Sequence, residues 1–152
     1  MYTGLLHTHS LLRWIFLILI ITVVVKAWQG MKGNKTFTAG DRKLVLMTVI
    51  TAHVQLLVGL LLYMSSPIVN SALQDMGAAM KDKALRFWAV EHISVMIIAV
   101  ILITIGNALS KRAATDAAKF KKLFTFFLIG LLIILVTVPW PFQEMHAWRG
   151  WF

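Results

Sequence analysis

In 152 residues the chain carries 59% hydrophobic and only 14% charged positions, with a formal net charge of +9 and a mean hydropathy of +0.80. That apolar content exceeds the roughly 45–50% of soluble domains and describes an integral membrane protein, with length for four spans of about 20 residues and none for a second domain. The absence of cysteine excludes disulfides, thiolate metal sites, iron–sulfur clusters and covalently attached c-type haem; with no soluble basic domain, the positive charge does not describe a nucleic-acid-binding protein.

The first span is expected over about 5–28, with Leu11, Leu12 and the run Ile15 to Val25 as its apolar body. It lacks a basic start and a small-residue cleavage site, so it does not read as a removed signal peptide. Gly30 to Gly40 is rich in glycine and lysine and breaks the helix, and Thr38 and Asp41 then offer caps for a second span over about 42–64. Pro67 stops that span. The connection from Ser65 to Lys83 is the longest, and its pieces around Asp75 and Ala79 suit a short interfacial helix. A third span is expected over about 85–109, a short basic connection over Lys111 to Lys122, and a fourth span over about 123–138, closed by Pro139 and Pro141.

The fold expected is therefore an all-α, up-down four-helix membrane bundle. Ten of the fifteen lysine and arginine residues fall in the first and third connections, among them Lys26, Lys32, Lys35, Arg42, Lys43, Lys111 and Arg112. That side should be cytoplasmic, which puts both termini and the longest loop outside. Trp88, Trp140, Trp148 and Trp151 gather near the external ends and Trp28 near the internal end, as expected of interfacial anchors. Trp14 sits deeper, against a flat cofactor or a neighbouring helix.

All five histidines, His7, His9, His53, His92 and His146, fall at or outside the expected bilayer midplane. A neutral imidazole can ligate a metal without the full cost of a buried charge. His92 lies 19 residues from Lys111 and His7 lies 19 from Lys26, so they share a height; His9 is about 3 Å deeper by helical rise. His53, 11 residues from Arg42, is roughly 9 Å deeper than His92 in untilted helices, a gap that tilts of about 20° reduce.

Three readings compete for these side chains. Two imidazoles on different helices can hold a b-type haem from opposite faces; His92 with His7 or His9 fits best, and His53 with His92 fits if tilt levels them. Arg13, four residues after His9, shares its face and suits a haem propionate or Glu91. A metal site of histidine with Glu91 or Glu144 is the second reading, although no HExxH pattern is present. The third is structural, with His53 tying helices together and His146 bonding a carbonyl or headgroup. Gln55 either joins helices or approaches a quinone headgroup, Glu91 orients an imidazole or pairs with Arg13 or Arg86, and Gly59, Gly106, Gly130, Thr104 and Asn107 read as helix-packing positions.

The opening "YTGLLHTHSLLRW", the second-span "TAHVQLLVGL", the third-span "RFWAVEHISVMIIAVILITIG", the "SKRAATDAAKFKK" connection and the closing "VPWPF" and "RGWF" resemble short bacterial four-helix membrane proteins labelled cytochrome b-like, over nearly the whole chain. The resemblance implies a bacterial cytoplasmic-membrane protein with haem b held by His7 or His9, His53 and His92. The chain departs from diheme cytochromes b in lacking a histidine pair in each leaflet, so transfer across two haems in one protomer is not expected.

The function expected is electron transfer between the quinone pool and an external or membrane partner, with Arg13 and Glu91 setting the electrostatics and no hydrolase chemistry. The alternative is a cofactor-free accessory or assembly subunit of a larger respiratory or other membrane complex. A homodimer is a further candidate arrangement, since two-fold symmetry would present one histidine to both faces of an iron. A small transporter would need broken helices or inverted repeats, and neither is visible.

Overall fold

The computed structural model describes residues 2–140 and 142. His146, Glu144, Trp148, Trp151 and Arg149 lie outside the described residues. Four helices are long and apolar enough to cross a membrane: α1 (Tyr2–Lys32), α2 (Ala39–Ser65), a continuous rod over Lys83–Arg112, and α7 (Asp116–Thr137). The rod consists of α5 (Lys83–Arg86), a π-helical turn (Phe87–Glu91) and α6 (His92–Arg112). Two short helices, α3 (Pro67–Gln74) and α4 (Met76–Ala79), fill the connection expected to be interfacial.

Local chemistry sets the boundaries. At the end of α1 the Gly33 and Lys35 amides donate to Gln29 O and Gly30 O, and Asn34 takes the left-handed φ of 47° that asparagine tolerates better than most residues. Thr38 and Asp41 form a complete capping box: Thr38 Oγ1 accepts from the Asp41 amide at 3.2 Å, and Asp41 Oδ2 accepts from the Thr38 amide at 2.9 Å. Ser66 ends α2 and caps α3, with Pro67 at its first helical position. The last helix starts at Asp116, seven residues before the expected 123. Thr115 caps it, and Lys119 pairs with Asp116 at 2.8 Å, so a stretch expected as a basic connection is a helical first turn.

Helix α1 packs on α2 and α7, and α6 packs on α2 and α7. The helices thus stand in a square, each antiparallel to its neighbours, with α1 and α6 across a diagonal. Large apolar side chains point outward as well as inward: Ile18 is 65% and Val136 81% exposed. Water would not tolerate such a surface, whereas lipid does. Inside, Ile20, Ile103 and Phe127 are fully buried. Close approach depends on glycine, since a Cβ on Gly106 would meet Phe126 Cβ at 2.5 Å and one on Gly30 would meet the Phe120 ring at 2.6 Å.

The basic connections all lie at one end of the square. There Lys26 pairs with Asp41 at 2.6 Å, and the Arg42 guanidinium donates to Asn107 Oδ1, tying α1 to α2 and α2 to α6. The opposite end holds the start of α1, the end of α2, the π-helical turn and the end of α7. By helical rise the 31 residues of α1 are about 46 Å long, more than the roughly 30 Å of a hydrocarbon core.

Candidate functional site

The half of the bundle that contains the chain's beginning is not closed. Between the four long helices lies a cavity of about 140 Å³, and its polar lining comes from three faces with helical spacing. From α1 come His9, Ser10 and Arg13; from α2 come Gln55, Gly59 and Tyr63, recurring every fourth residue; from α6 comes His92, above Met96 and Ala99. The remaining walls are apolar and include Leu6, Leu60, Trp88, Ile134 and Val138.

Each polar member is positioned by something identifiable. Gln55 Nε2 donates to His9 O at 2.9 Å, linking α2 to α1 beside the imidazole, while Gln55 Oε1 is buried with no partner among the described residues. The His9 ring lies over Gly59, where a Cβ would come within 3.1 Å of Cε1. Any larger residue at 59 would push the ring. Arg13 stands with its guanidinium 5.3 Å from the Trp14 ring centroid, a cation–π arrangement. Trp14 itself rests on Trp140 of the chain after α7, centroids 6.0 Å apart, and Trp140 Nε1 donates to Leu135 O at 2.9 Å. Trp14 thus packs on the segment that follows α7 and does not line the cavity.

His92 comes directly after the π-helical turn. In that turn its amide reaches back five residues to Phe87 O, and the wider ring rotates His92 and the rest of α6 relative to a regular helix. Two contacts hold the turn: Tyr63 Oη donates to Ala89 O at 2.9 Å from α2, and Arg86 Nε pairs with Glu91 Oε1 at 2.6 Å on the outside. His92 then sits against Phe87 and Trp88, centroids 5.6 and 5.7 Å away, with Nδ1 3.4 Å from Thr137 O. With Nδ1 as donor to that carbonyl, the neutral ring carries its lone pair on Nε2, the arrangement that metal-binding histidines use.

Of the residues expected from sequence, His9, Arg13 and His92 meet at this cavity, on helices across the diagonal of the square. The others do not. His7 is exposed on α1. His53 is exposed on the outside of α2, with Nδ1 2.7 Å from Val49 O; Gln55, two positions on, turns inward. Glu91 is exposed and held by Arg86. Among the described residues no three histidine or carboxylate side chains converge as a metal cluster. Trp88, expected as an interfacial anchor, is 9% exposed and lines the cavity.

Ser10, Gly59, Tyr63 and Trp88 belong to the site and were not assigned to it from sequence. The fourfold spacing of Gln55, Gly59 and Tyr63 is the signal that would have found two of them.

The donor set suits haem b: two imidazoles from diagonal helices border one space, with a guanidinium in its wall. The space itself is near the 150 Å³ of an engineered cavity that accepts benzene, so a macrocycle would need the flexible lining, Leu6, Leu60 and Met96, to move aside. Comparison of the chain with protein-family models, with characterised proteins and with solved structures finds no match.

Proposed function

We propose that the chain is a b-type haem protein of a bacterial cytoplasmic membrane, related to the cytochrome b-like proteins its motifs resemble. It would carry electrons between the quinone pool and a membrane or periplasmic partner. The observation that carries this reading is that His9 and His92, on diagonal helices, border one cavity inside the bundle. Intramembrane ionisable side chains that face a shared interior space usually serve a function there.

His9 and His92 would hold the haem iron. Gly59 gives the His9 ring its room and Gln55 fixes the backbone that bears it, while Thr137 O and the π-helical turn orient His92. Arg13 supplies the positive charge for an anionic propionate. When bound, the haem supplies a one-electron couple, with burial and hydrogen bonding setting its potential. Clustering of the basic residues at the far end of the bundle supports the orientation: by the positive-inside rule that end is cytoplasmic, and the cavity and the chain's beginning face outward.

A reduced-minus-oxidised absorption spectrum of detergent-purified protein, with pyridine haemochrome quantification, tests the reading. A b-type spectrum at one haem per chain is expected. A featureless spectrum from protein expressed with ample haem overturns it and favours a cofactor-free accessory subunit.

A further inference from the structure

His53 takes no part in the cavity, yet it is the only histidine, acid or base between Lys43 and Ser65 on α2. It stands near the middle of that span and is exposed on the outer surface of the bundle. Exposed aliphatic side chains flank the site along both helices: Ile50 and Leu57 lie one turn from His53 on α2, and Ile101 and Ile97 lie one and two turns from Thr104 on α6. An ionisable side chain on a lipid-facing surface at this depth is uncommon and asks for a partner.

The hydrogen bonds define what that partner must bring. Nδ1 lies 2.7 Å from Val49 O, and a nitrogen that close to a carbonyl must carry the hydrogen. In the neutral ring the lone pair is then on Nε2. The polar group nearest Nε2 is Thr104 Oγ1, at 3.4 Å. Its single hydrogen serves one acceptor at a time, and Val100 O at 2.7 Å is much the closer, so Thr104 gives Nε2 at best a long hydrogen bond. Hydrocarbon offers no water to do so. The outward nitrogen is therefore an acceptor that needs an O–H or N–H donor arriving from the lipid.

A second copy with His53 on its two-fold axis does not provide one, because His53 would then meet His53 with both Nδ1 hydrogens already committed. We propose instead that the groove between α2 and α6 at His53 and Thr104 docks a lipid-soluble quinol, whose phenolic O–H donates to His53 Nε2 while its ring and tail lie on Ile50, Leu57, Ile97 and Ile101. The choice of quinol rests on the proposed link to the quinone pool; the binding site itself does not require haem. Val100, which accepts from Thr104, also lines the central cavity, so the groove and the cavity share one wall.

The test uses the full chain with 15N-labelled histidine in lipid nanodiscs under reducing conditions, titrated with a short-chain ubiquinol and, separately, with its dimethyl ether. The His53 resonance is assigned with His53→Asn or, should that variant fail to fold, with Thr104→Val. Expected are a saturable displacement of the Nε2 signal by the quinol and none by the ether. Equal displacement by the ether, or no saturable displacement, overturns the proposal. So does a displacement that tracks the protein-to-lipid ratio without quinol, which would indicate contact between copies. The absorption spectrum of the same sample judges the haem separately: quinol binding with no haem spectrum upholds the groove and sinks the haem, and a haem spectrum without quinol binding does the reverse.

Discussion

The two halves of this bundle are built from the same four helices and packed by opposite rules. In the half with the basic connections, glycines admit phenyl rings: Phe120 lies where a Gly30 Cβ would be, and Phe126 crowds Gly106. Phe127 is fully buried there, and Lys26–Asp41 and Arg42–Asn107 join neighbouring helices. In the other half a glycine, Gly59, admits an imidazole, and the space between the helices is kept. The closed half holds the square together, which frees the open half to present polar groups around a cavity. In lipid, where apolar burial gives helices little reason to associate, such close packing is the main source of cohesion.

Changes in the closed half should therefore cost stability, and changes in the open half should alter what is bound. Phe127→Ala, at a fully buried ring, is expected to lower unfolding stability in detergent by about 3–5 kcal/mol, read from denaturant unfolding monitored by circular dichroism. A loss below about 1 kcal/mol would mean that this half is not the clamp. Gly106→Ala is expected to cost about 2 kcal/mol through overpacking against Phe126; an unchanged unfolding midpoint would show that α6 and α7 can part at no cost. Thr38→Ala removes the side-chain half of the α2 capping box and should cost about 1 kcal/mol.

In the open half, Met96→Ala trims a half-buried wall that already faces empty space and should cost no more than about 1 kcal/mol, below the roughly 2–5 kcal/mol of a methionine truncation in a closed core. Gly59→Ala should leave the unfolding midpoint nearly unchanged and reduce the haem retained on purification, because the added methyl displaces the His9 ring. Full haem retention in that variant would show that the His9 ring can shift by a few tenths of an ångström without loss of binding.

The helices and their ends were largely legible in the sequence, since Thr38, Asp41 and Pro67 act through local rules that hold in any surroundings. The direction each side chain faces was less so. A span that is apolar all round has no hydrophobic face to mark its inside, so His53 outside and Gln55 inside could be separated from each other but not assigned. His9 and Arg13 were recognisable as one face by their spacing. The path of His92 depended on the π-helical turn at Phe87–Glu91, whose extra residue breaks the regular period, and this also turned Trp88 inward from the surface expected of it. Glu91 had two arginines within reach on paper, and the turn gave it to Arg86.

The most direct test of the account is haem content across four single variants, His9→Ala, His92→Ala, His7→Ala and His53→Ala, each purified under identical conditions and measured by pyridine haemochrome. The account predicts loss of haem, or conversion to a single-histidine spectrum, in the first two and wild-type content in the last two. Haem lost with His53→Ala but kept with His9→Ala would contradict it, because the cofactor would then lie outside the cavity between the helices.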